Sequence, residues 1–307
     1  MALCRVPALP PSISHVVDLE LVRGAEAAAD APPDLLIEIP HGATRTADYD
    51  HYARQVVSPL PDGLVDFFHV NTDAGAPELA VATARALVAA SPTRSVVIVR
   101  SRVPRTFIDC NRRLDASPAE WKAGKVGPGL MPWITDPEDD RRLRAAFDGY
   151  VGAVTAAAAA LAPDGAMLML HTYAPRTVDV EVDLEIVPNL RRAWAADAVE
   201  QWPLRPHLDV IARTPDGVDH APVAVVAALT AGCAALAYTV ARGDTYPLHP
   251  STQAHDHVLA RPGRTLCLEV RRDLLADPFT PFAEMTIGAA QVERLAQPLA
   301  AALQAWW

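Results

Sequence analysis

The segment Ala166-Met-Leu-Met-Leu-His171 decides the expected fold, because a fully apolar run of strand length ends there on a histidine. Three further apolar runs end in a similar way: LLIEIP, residues 35–40, before His41; FFHVNT, residues 67–72, before Asp73; and TLCL, residues 265–268, before Glu269. In an open α/β sheet, polar groups at the carboxyl ends of separate strands converge on one place. Two histidines, one carboxylate and a second carboxylate in reserve therefore predict a catalytic zinc site.

Around these four runs, apolar segments of strand length alternate with longer, alanine-rich segments of helical length. The candidate strand cores are residue 37 and residues 67–70, 96–99, 167–170, 210–211, 236–240 and 266–270. The candidate helices are residues 77–90, 137–161, 190–202, 223–231 and 288–306. This alternation predicts an α/β fold with a mainly parallel mixed sheet and helices on both faces.

The chain length is compatible with one large α/β domain, and we predict a single domain over residues 1–307. Residues 1–30 are expected to form an N-terminal arm, since the start of the chain lacks the continuous apolar core of a signal peptide. Residues 117–137, rich in Pro, Gly and Trp, are expected to form a surface loop near the site.

The composition of the chain limits the classes of partner that we expect it to bind. The net charge of -10 and the absence of a long Lys/Arg run argue against nucleic acid and against an anionic membrane surface. Residues 221–241 carry no charge, but Gly232 divides them into a helix-like and a strand-like part, so we predict buried elements there and no membrane span. Small molecules or short peptides remain as partners, and the oligomeric state is left open.

The four cysteines stand far apart and include no CxxC pair. This spacing speaks against a disulfide framework and against a thiolate zinc site. It favours a reduced, cytoplasmic protein.

The residues next to each candidate ligand indicate whether its side chain could reach a metal ion. Pro40 ends a strand and Gly42 permits a tight turn, which would aim His41 back at the strand end. His171 follows a very apolar run, where an imidazole without a partner would be costly. Asp73 precedes a helix and is either the third ligand or a helix cap. Two other carboxylates, Glu38 and Glu78, compete with it for the role of third ligand.

Glu269 lies between apolar residues near the end of a predicted strand. One interpretation is a structural ion pair with Arg271, since buried acids are usually paired. The other is a general base that takes a proton from water activated by a metal ion.

Five arginines fall within residues 100–113 of an otherwise acidic chain. Guanidinium groups match carboxylates in bidentate geometry, so this cluster indicates recognition of an anionic substrate. One arginine is also available to stabilise the oxyanion of an amide reaction. Asp109 is expected to orient Arg105 or Arg112.

The ordered set of motifs resembles the N-formylglutamate amidohydrolase family from about residue 37 to residue 275. The motifs are PHG at 40–42, NTD at 71–73, SRxxRxxIDxNR at 101–112, the strand ending in His171, YPLHPST at 246–252 and LEVRRDL at 268–274. The resemblance implies a zinc-exopeptidase-like (phosphorylase/hydrolase-like) fold, similar to that of zinc carboxypeptidases and aspartoacylases. The chain departs from the family pattern beside the predicted metal, with Gly42-Ala43 after the first histidine and Thr172-Tyr173 after the second.

The resemblance also implies a role for each site residue. His41, Asp73 and His171 would bind one Zn²⁺, or another divalent metal, and Glu269 would be the base. The remaining roles are a substrate carboxylate clamp at Asn111 and Arg112, and an oxyanion partner at Arg105 or Arg102. Tyr246 and His249 lie in a proline-bordered loop and are expected to close over the substrate or to form a simple turn.

These observations predict a zinc-dependent hydrolase, an amidohydrolase or deformylase of N-formylglutamate-like N-acyl amino acids. Two alternatives share the site: a carboxypeptidase- or aspartoacylase-like hydrolase of small peptides or acyl amino acids, and a non-catalytic carboxylate-binding protein. A mononuclear iron(II) oxygenase uses similar ligands, but its β-barrel scaffold conflicts with the predicted helices.

Overall fold

The computed structural model describes residues 8–276 and 278–307; Cys4 and the start of the predicted N-terminal arm lie outside them. The strands within these ranges are β1 Val17–Arg23, β2 Leu35–Ile39, β3 Ser95–Ser101, β4 Ala166–Tyr173, β5 Leu208–Val210, β6 Val240–Ala241 and β7 Thr265–Arg271. They form one sheet in the order β1-β3-β2-β4-β7-β5-β6.

The middle of the sheet is parallel and its flanks are mixed. Strands β3, β2, β4 and β7 run parallel, whereas β1 pairs antiparallel with β3 and β5 antiparallel with β7. The mainly parallel mixed sheet predicted from the sequence is therefore confirmed. β1 lies inside the segment expected to be an arm; its sequence VDLELVR alternates apolar and charged residues, as an edge strand does.

Helices cover both faces of the sheet, as predicted. They are α1 Thr46–Ala53, α2 Val65–Asn71, α3 Ala76–Ala90, α4 Pro118–Ala123, α5 Pro137–Ala159, α6 Ile186–Ala193, α7 Val223–Ala234, α8 Gln253–Ala260 and α9 Ala289–Leu303. Single 3₁₀ turns form at Val199–Gln201, Arg272–Leu274 and Gln304–Trp306.

Side chains alternate between the two faces along the buried strands. Leu35, Ile37 and Ile39 of β2 pack with α3, α7 and α9 in one apolar core. Leu36 of the same strand packs with α2, α5 and α8 in a second core on the opposite face. Burial on both faces explains why the central strands read as continuous apolar runs.

Three predicted elements differ from the structure. Residues 67–70, predicted as a strand, lie in α2, because Leu64, Phe67 and Phe68 are buried at helical i, i+3 and i+4 spacing. The predicted strand 236–240 is reduced to the two residues of β6 at its end. The predicted helix 190–202 is divided into the end of α6 and a 3₁₀ turn.

The uncharged stretch 221–241 contains α7, a turn and β6. In the described parts of the chain, no helix combines the length and apolar character needed to cross a membrane.

Candidate metal centre and active site

A buried cluster of two histidines and one aspartate lies at the carboxyl edge of the sheet. His41 follows β2 by two residues, and His171 is the sixth residue of β4. Asp73 lies between α2 and α3, where its backbone N–H donates to the His41 carbonyl at 3.3 Å. One ligand atom from each residue lies within 4.8 Å of the others. The structure thus brings together the three residues predicted as metal ligands.

The contacts of this cluster suit a divalent cation. Asp73 Oδ2 is 3.2 Å from His41 Nδ1 and 3.1 Å from His171 Nδ1, and all three side chains are buried. Burial alone would raise the pKa of Asp73, but the charges and hydrogen bonds of His41 and His171 outweigh it and hold the pKa well below its usual range. Two imidazoles and one carboxylate are the donor set of a catalytic zinc site.

Asp109 contacts the Nε2 side of the His41 ring, opposite the Nδ1 atom that faces Asp73. His41 Nε2 is 2.8 Å from Asp109 Oδ1, which leaves Nδ1 available for a metal ion. Asp109 Oδ2 in turn pairs with Arg105 at 2.9 Å and with Arg112 at 3.3 Å. Asp109 was predicted to orient an arginine; its contact with His41, 68 positions away, was not predicted. Against the effect of burial, Arg112, Arg105 and His41 keep the pKa of Asp109 well below its usual range.

Glu269 lies beside this cluster with one free carboxylate oxygen. Strand pairing places Glu269 of β7 opposite His171 of β4. Its Oε2 is buried and has no hydrogen-bond partner among the described residues. Burial raises the pKa of Glu269, with His171 opposing the shift and Asp73 adding to it. The alternative ion pair with Arg271 is replaced by one between Arg271 Nε and Asp273 at 2.8 Å.

The cluster opens into a cavity of about 140 Å³, which we call the clamp cavity. It is lined by the predicted site residues His41, Arg105, Asn111, Arg112, His171, Tyr246 and Glu269. The predicted surface loop 117–137 begins with α4 and then contributes Lys125, Val126 and Gly127 to the same wall.

Four residues considered for the site lie elsewhere. Arg102 directs its guanidinium to Asp18 and Asp48 and is not among the residues that line the clamp cavity. His249 pairs with Ser251 Oγ at 2.9 Å and is outside the residues that line the clamp cavity. The rival carboxylates are also engaged in other contacts: Glu38 with Tyr150 at 2.7 Å and Glu78 with Arg45 at 2.6 Å.

Two arginines that the sequence did not single out border the site. Arg272 is buried; it donates to the Thr172 carbonyl at 3.2 Å and lies 3.8 Å from Asp73 Oδ1. Burial lowers its pKa to about 10. Arg205 donates to the Tyr246 hydroxyl at 2.9 Å. The only sequence signal for Arg272 was its place three residues after Glu269 in the LEVRRDL motif.

The fold and the site together define an α/β protein with a candidate active-site cleft at the carboxyl edge of its sheet. The chain belongs to the N-formylglutamate amidohydrolase family, whose model matches residues 33–276, and members of this family act on amides. The resemblance found in the motifs is thereby confirmed.

Two solved structures share the fold. An N-formylglutamate amidohydrolase from Ralstonia eutropha JMP134 is 19% identical with a TM-score of 0.57, over 93% of this chain and 96% of that one. A protein from Agrobacterium tumefaciens is 18% identical with a TM-score of 0.53, over 94% of each chain. No curated protein sequence matches the chain. The narrower zinc-exopeptidase-like classification remains a prediction.

Proposed function

We propose that this protein hydrolyses the linear amide bond of an N-formyl or other N-acyl amino acid, with N-formylglutamate as a starting candidate, assisted by one divalent metal ion, in the first place Zn²⁺. The observation that carries the proposal is the position of His41, Asp73 and His171, with ligand atoms within 4.8 Å of one another, next to the free carboxylate oxygen of Glu269. A divalent ion held by these ligands would supply Lewis-acid chemistry and would lower the pKa of water towards about 7.

Asn111 and Arg112 bind the substrate carboxylate. The Asn111 Oδ1 accepts from the Ala254 N–H at 3.2 Å, which leaves the Asn111 amide N–H groups for a ligand. Arg112 donates to the Gly127 and Asn111 carbonyls and pairs with Asp109, so two of its five N–H groups remain for the carboxylate.

Arg105 stabilises the oxygen that becomes negative when water adds to the amide carbonyl. One of its nitrogens pairs with Asp109 and another donates to the Asn71 carbonyl at 3.2 Å. Its buried Nε has no partner within the described chain, and its side chain lines the clamp cavity with Glu269. A fixed N–H donor in a buried site stabilises a developing oxyanion more than it would in water.

Glu269 moves the proton. Its Oε2 accepts a proton from the attacking water and delivers it to the amide nitrogen as the C–N bond breaks, giving a carboxylic acid and a free amino acid. A carboxyl whose pKa is raised by burial is suited to both steps, because it takes and releases the proton closer to neutral pH.

The test is formate release from N-formyl-L-glutamate by metal-free protein, before and after addition of one equivalent of zinc. We expect turnover only in the zinc-loaded protein, and its loss in His171→Ala. Arg102→Gln, outside the cavity, is the matched control and should keep activity. Zinc binding without turnover of any N-acyl amino acid or dipeptide would contradict the proposed function. Dipeptide cleavage alone would favour the carboxypeptidase-like alternative.

We also propose a reducing, cytoplasmic environment. Cys110, Cys233 and Cys267 are separate, buried free thiols in the described chain. Buried thiols of this kind are common where proteins are kept reduced.

A further inference from the structure

A second cavity of about 220 Å³ adjoins the clamp cavity, and we call it the arginine cavity. The two cavities share lining residues, among them Tyr246 and Glu269, so a group bound in one lies next to a group bound in the other. The wall of the arginine cavity contains more arginines than acidic residues: Arg105, Arg176, Arg205 and Arg272 against Asp109 and Glu269. An excess of positive charge around a cleft of an otherwise acidic chain favours an anionic ligand.

Three of these arginines are already paired with acidic residues of the described chain. The pairs are Arg105 with Asp109 at 2.9 Å, Arg176 with Glu200, and Arg272 with Asp73 at 3.8 Å. Arg205 is the exception, since its hydrogen bonds within the described residues go to hydroxyl and carbonyl oxygens and none goes to a carboxylate. Its charge is therefore the one in this wall that lacks a fixed counter-ion in the described chain.

The Arg205 side chain is held in position without an acid. Its guanidinium lies over two aromatic rings, 4.9 Å from the centre of Tyr173 and 5.5 Å from that of Tyr246. It donates to Thr177 Oγ1 at 3.1 Å, to the Tyr246 hydroxyl at 2.9 Å and to the Ala174 carbonyl at 3.5 Å. Two of its five N–H groups therefore remain for a ligand, on a side chain that is partly buried.

A fixed guanidinium with free N–H groups and no counter-ion suits a carboxylate ligand. A positive charge that is partly buried without a partner is unfavourable, and a carboxylate both neutralises it and accepts its hydrogen bonds. The carboxylate of the amino acid is already assigned to Asn111 and Arg112, which line the clamp cavity and not the arginine cavity. The ligand that suits Arg205 is therefore a second carboxylate.

We propose that Arg205 is a specificity-determining residue, which binds a second carboxylate of the substrate in the arginine cavity. The preferred substrates are then N-acyl amino acids with two carboxylates. The inference rests on the proposed function and adds the residue that sets its substrate preference. At roughly 30 Å³ for each water-sized group, the cavity has room for about seven such groups, enough for a carboxyethyl group. Glutamyl side chains and N-succinyl groups both carry a carboxyethyl group, and a comparison of substrates distinguishes the two positions.

The first test compares kcat/KM in zinc-loaded protein within two pairs of substrates that differ in one charge. The first pair is N-formyl-L-glutamate and N-formyl-L-glutamine; the second is N-succinyl-L-alanine and its succinamoyl analogue. A hydrogen bond to a charged group contributes about tenfold or more, so the dicarboxylate should exceed its amide by at least about tenfold in one pair. A gain in the first pair places the second carboxylate on the amino acid, and a gain in the second pair places it on the acyl group. Equal values within both pairs would overturn the inference and leave the proposed function intact.

A set of variants assigns the preference to Arg205. Arg205→Gln should bring the dicarboxylate-to-amide ratio to within about twofold of one, and Arg205→Lys, which keeps the charge but not the planar fork, should retain part of the ratio. Arg191→Gln should keep the ratio, because Arg191 is exposed, pairs with Asp66 at 2.7 Å and lines neither cavity. If Arg205→Gln slowed both members of a pair equally, Arg205 would only support Tyr246, and the inference would be overturned.

Binding to the metal-free protein gives a readout that needs no turnover. Titration calorimetry with the same four compounds should show the dicarboxylate of one pair binding at least about tenfold more tightly than its amide. Arg205→Gln should remove this difference. If zinc-loaded protein hydrolysed none of the compounds, that result would count against the proposed function, while the binding measurement would still decide the role of Arg205. Equal Kd values within both pairs would overturn the inference.

Discussion

Two carboxylate side chains, one buried and one half-buried, face each other across the antiparallel pair β5–β7 and have different surroundings. Asp209 is paired with Glu269 in the strand register. The Asp209 carboxylate accepts the backbone N–H groups of Gly243 at 2.7 Å, Asp244 at 3.3 Å and Thr245 at 2.7 Å. Glu269 keeps a carboxylate oxygen without a partner in the described residues, in the wall of the clamp cavity.

The difference separates a structural acid, Asp209, from the acid that we propose to react, Glu269. Asp209 has its hydrogen bonds satisfied and anchors the loop that carries Tyr246 into the site. The buried Oε2 of the half-buried Glu269 has no such partner among the described residues, an unfavourable arrangement that is typical of functional sites.

Glu269→Gln should lower kcat by about 10² to 10⁴, because the amide keeps the shape but cannot accept a proton. Zinc affinity and the folded structure should be retained, which titration calorimetry and circular dichroism would check. A variant with more than a tenth of the parent activity would show that Glu269 does not transfer the proton.

Arg105→Gln should lower kcat/KM by about 10² to 10³, the usual effect of removing one oxyanion donor. Arg102→Gln is the matched control from the same arginine cluster. Its ion pairs with Asp18 and Asp48 lie outside the cavity, so kcat/KM should stay within about twofold of the parent. The free energy of unfolding should fall by about 1–3 kcal/mol, because the buried Asp48 loses a charged partner. Similar losses of activity in the two variants would contradict the proposal that Arg105 stabilises the oxyanion and Arg102 does not.

Asp109→Asn should weaken zinc binding by about 10- to 100-fold. The Asp109 carboxylate contacts His41 Nε2 and orients the ring so that Nδ1 can bind the metal ion. The change is measured by competition with a chromogenic chelator. An unaltered zinc Kd would mean that Asp109 positions Arg105 and Arg112 but does not support zinc binding.

Asp209→Asn should reduce the free energy of unfolding by about 1–3 kcal/mol, because an amide N–H₂ would face backbone N–H groups that need an acceptor. Activity should fall less than tenfold, through a looser Tyr246 loop. Urea denaturation and steady-state kinetics measure the two effects. A large loss of activity at unchanged stability would reverse the roles assigned to the two acids.

The raised pKa of Glu269 also predicts a pH-dependent stability difference in metal-free protein. A carboxyl with a raised pKa binds its proton more readily in the folded state, so its stabilising effect is present below the unfolded pKa of about 4.3 and is lost as pH rises through the folded pKa. Relative to Glu269→Gln, the parent should therefore become less stable as pH rises through this window. A constant difference between pH 4 and pH 8 would contradict the shift.

Much of the site could be predicted because its residues end buried strands. His171 and Glu269 follow apolar runs in neighbouring parallel strands, and the general rule for open sheets places such residues together. Asp73 was selected for its chemistry, although the run before it was misread as a strand. FFHV is too short for periodicity to separate helix from strand, and the deciding contact, Leu64, lies outside it.

The arginine roles were harder to assign from sequence. Arg102 and Arg105 stand three residues apart, and only the tertiary structure shows that Asp18 and Asp48 engage the first while Asp109 engages the second. The pairing of Asp109 with His41 also joins segments distant in sequence. No local pattern encodes contacts of this kind.

Titration of zinc into the metal-free protein shows whether His41, Asp73 and His171 bind a metal ion. We expect one equivalent bound to the parent protein and to Glu269→Gln, and loss of that equivalent in His41→Ala and His171→Ala with the fold retained by circular dichroism. Full binding of one zinc by both histidine variants would contradict the assignment of the metal centre.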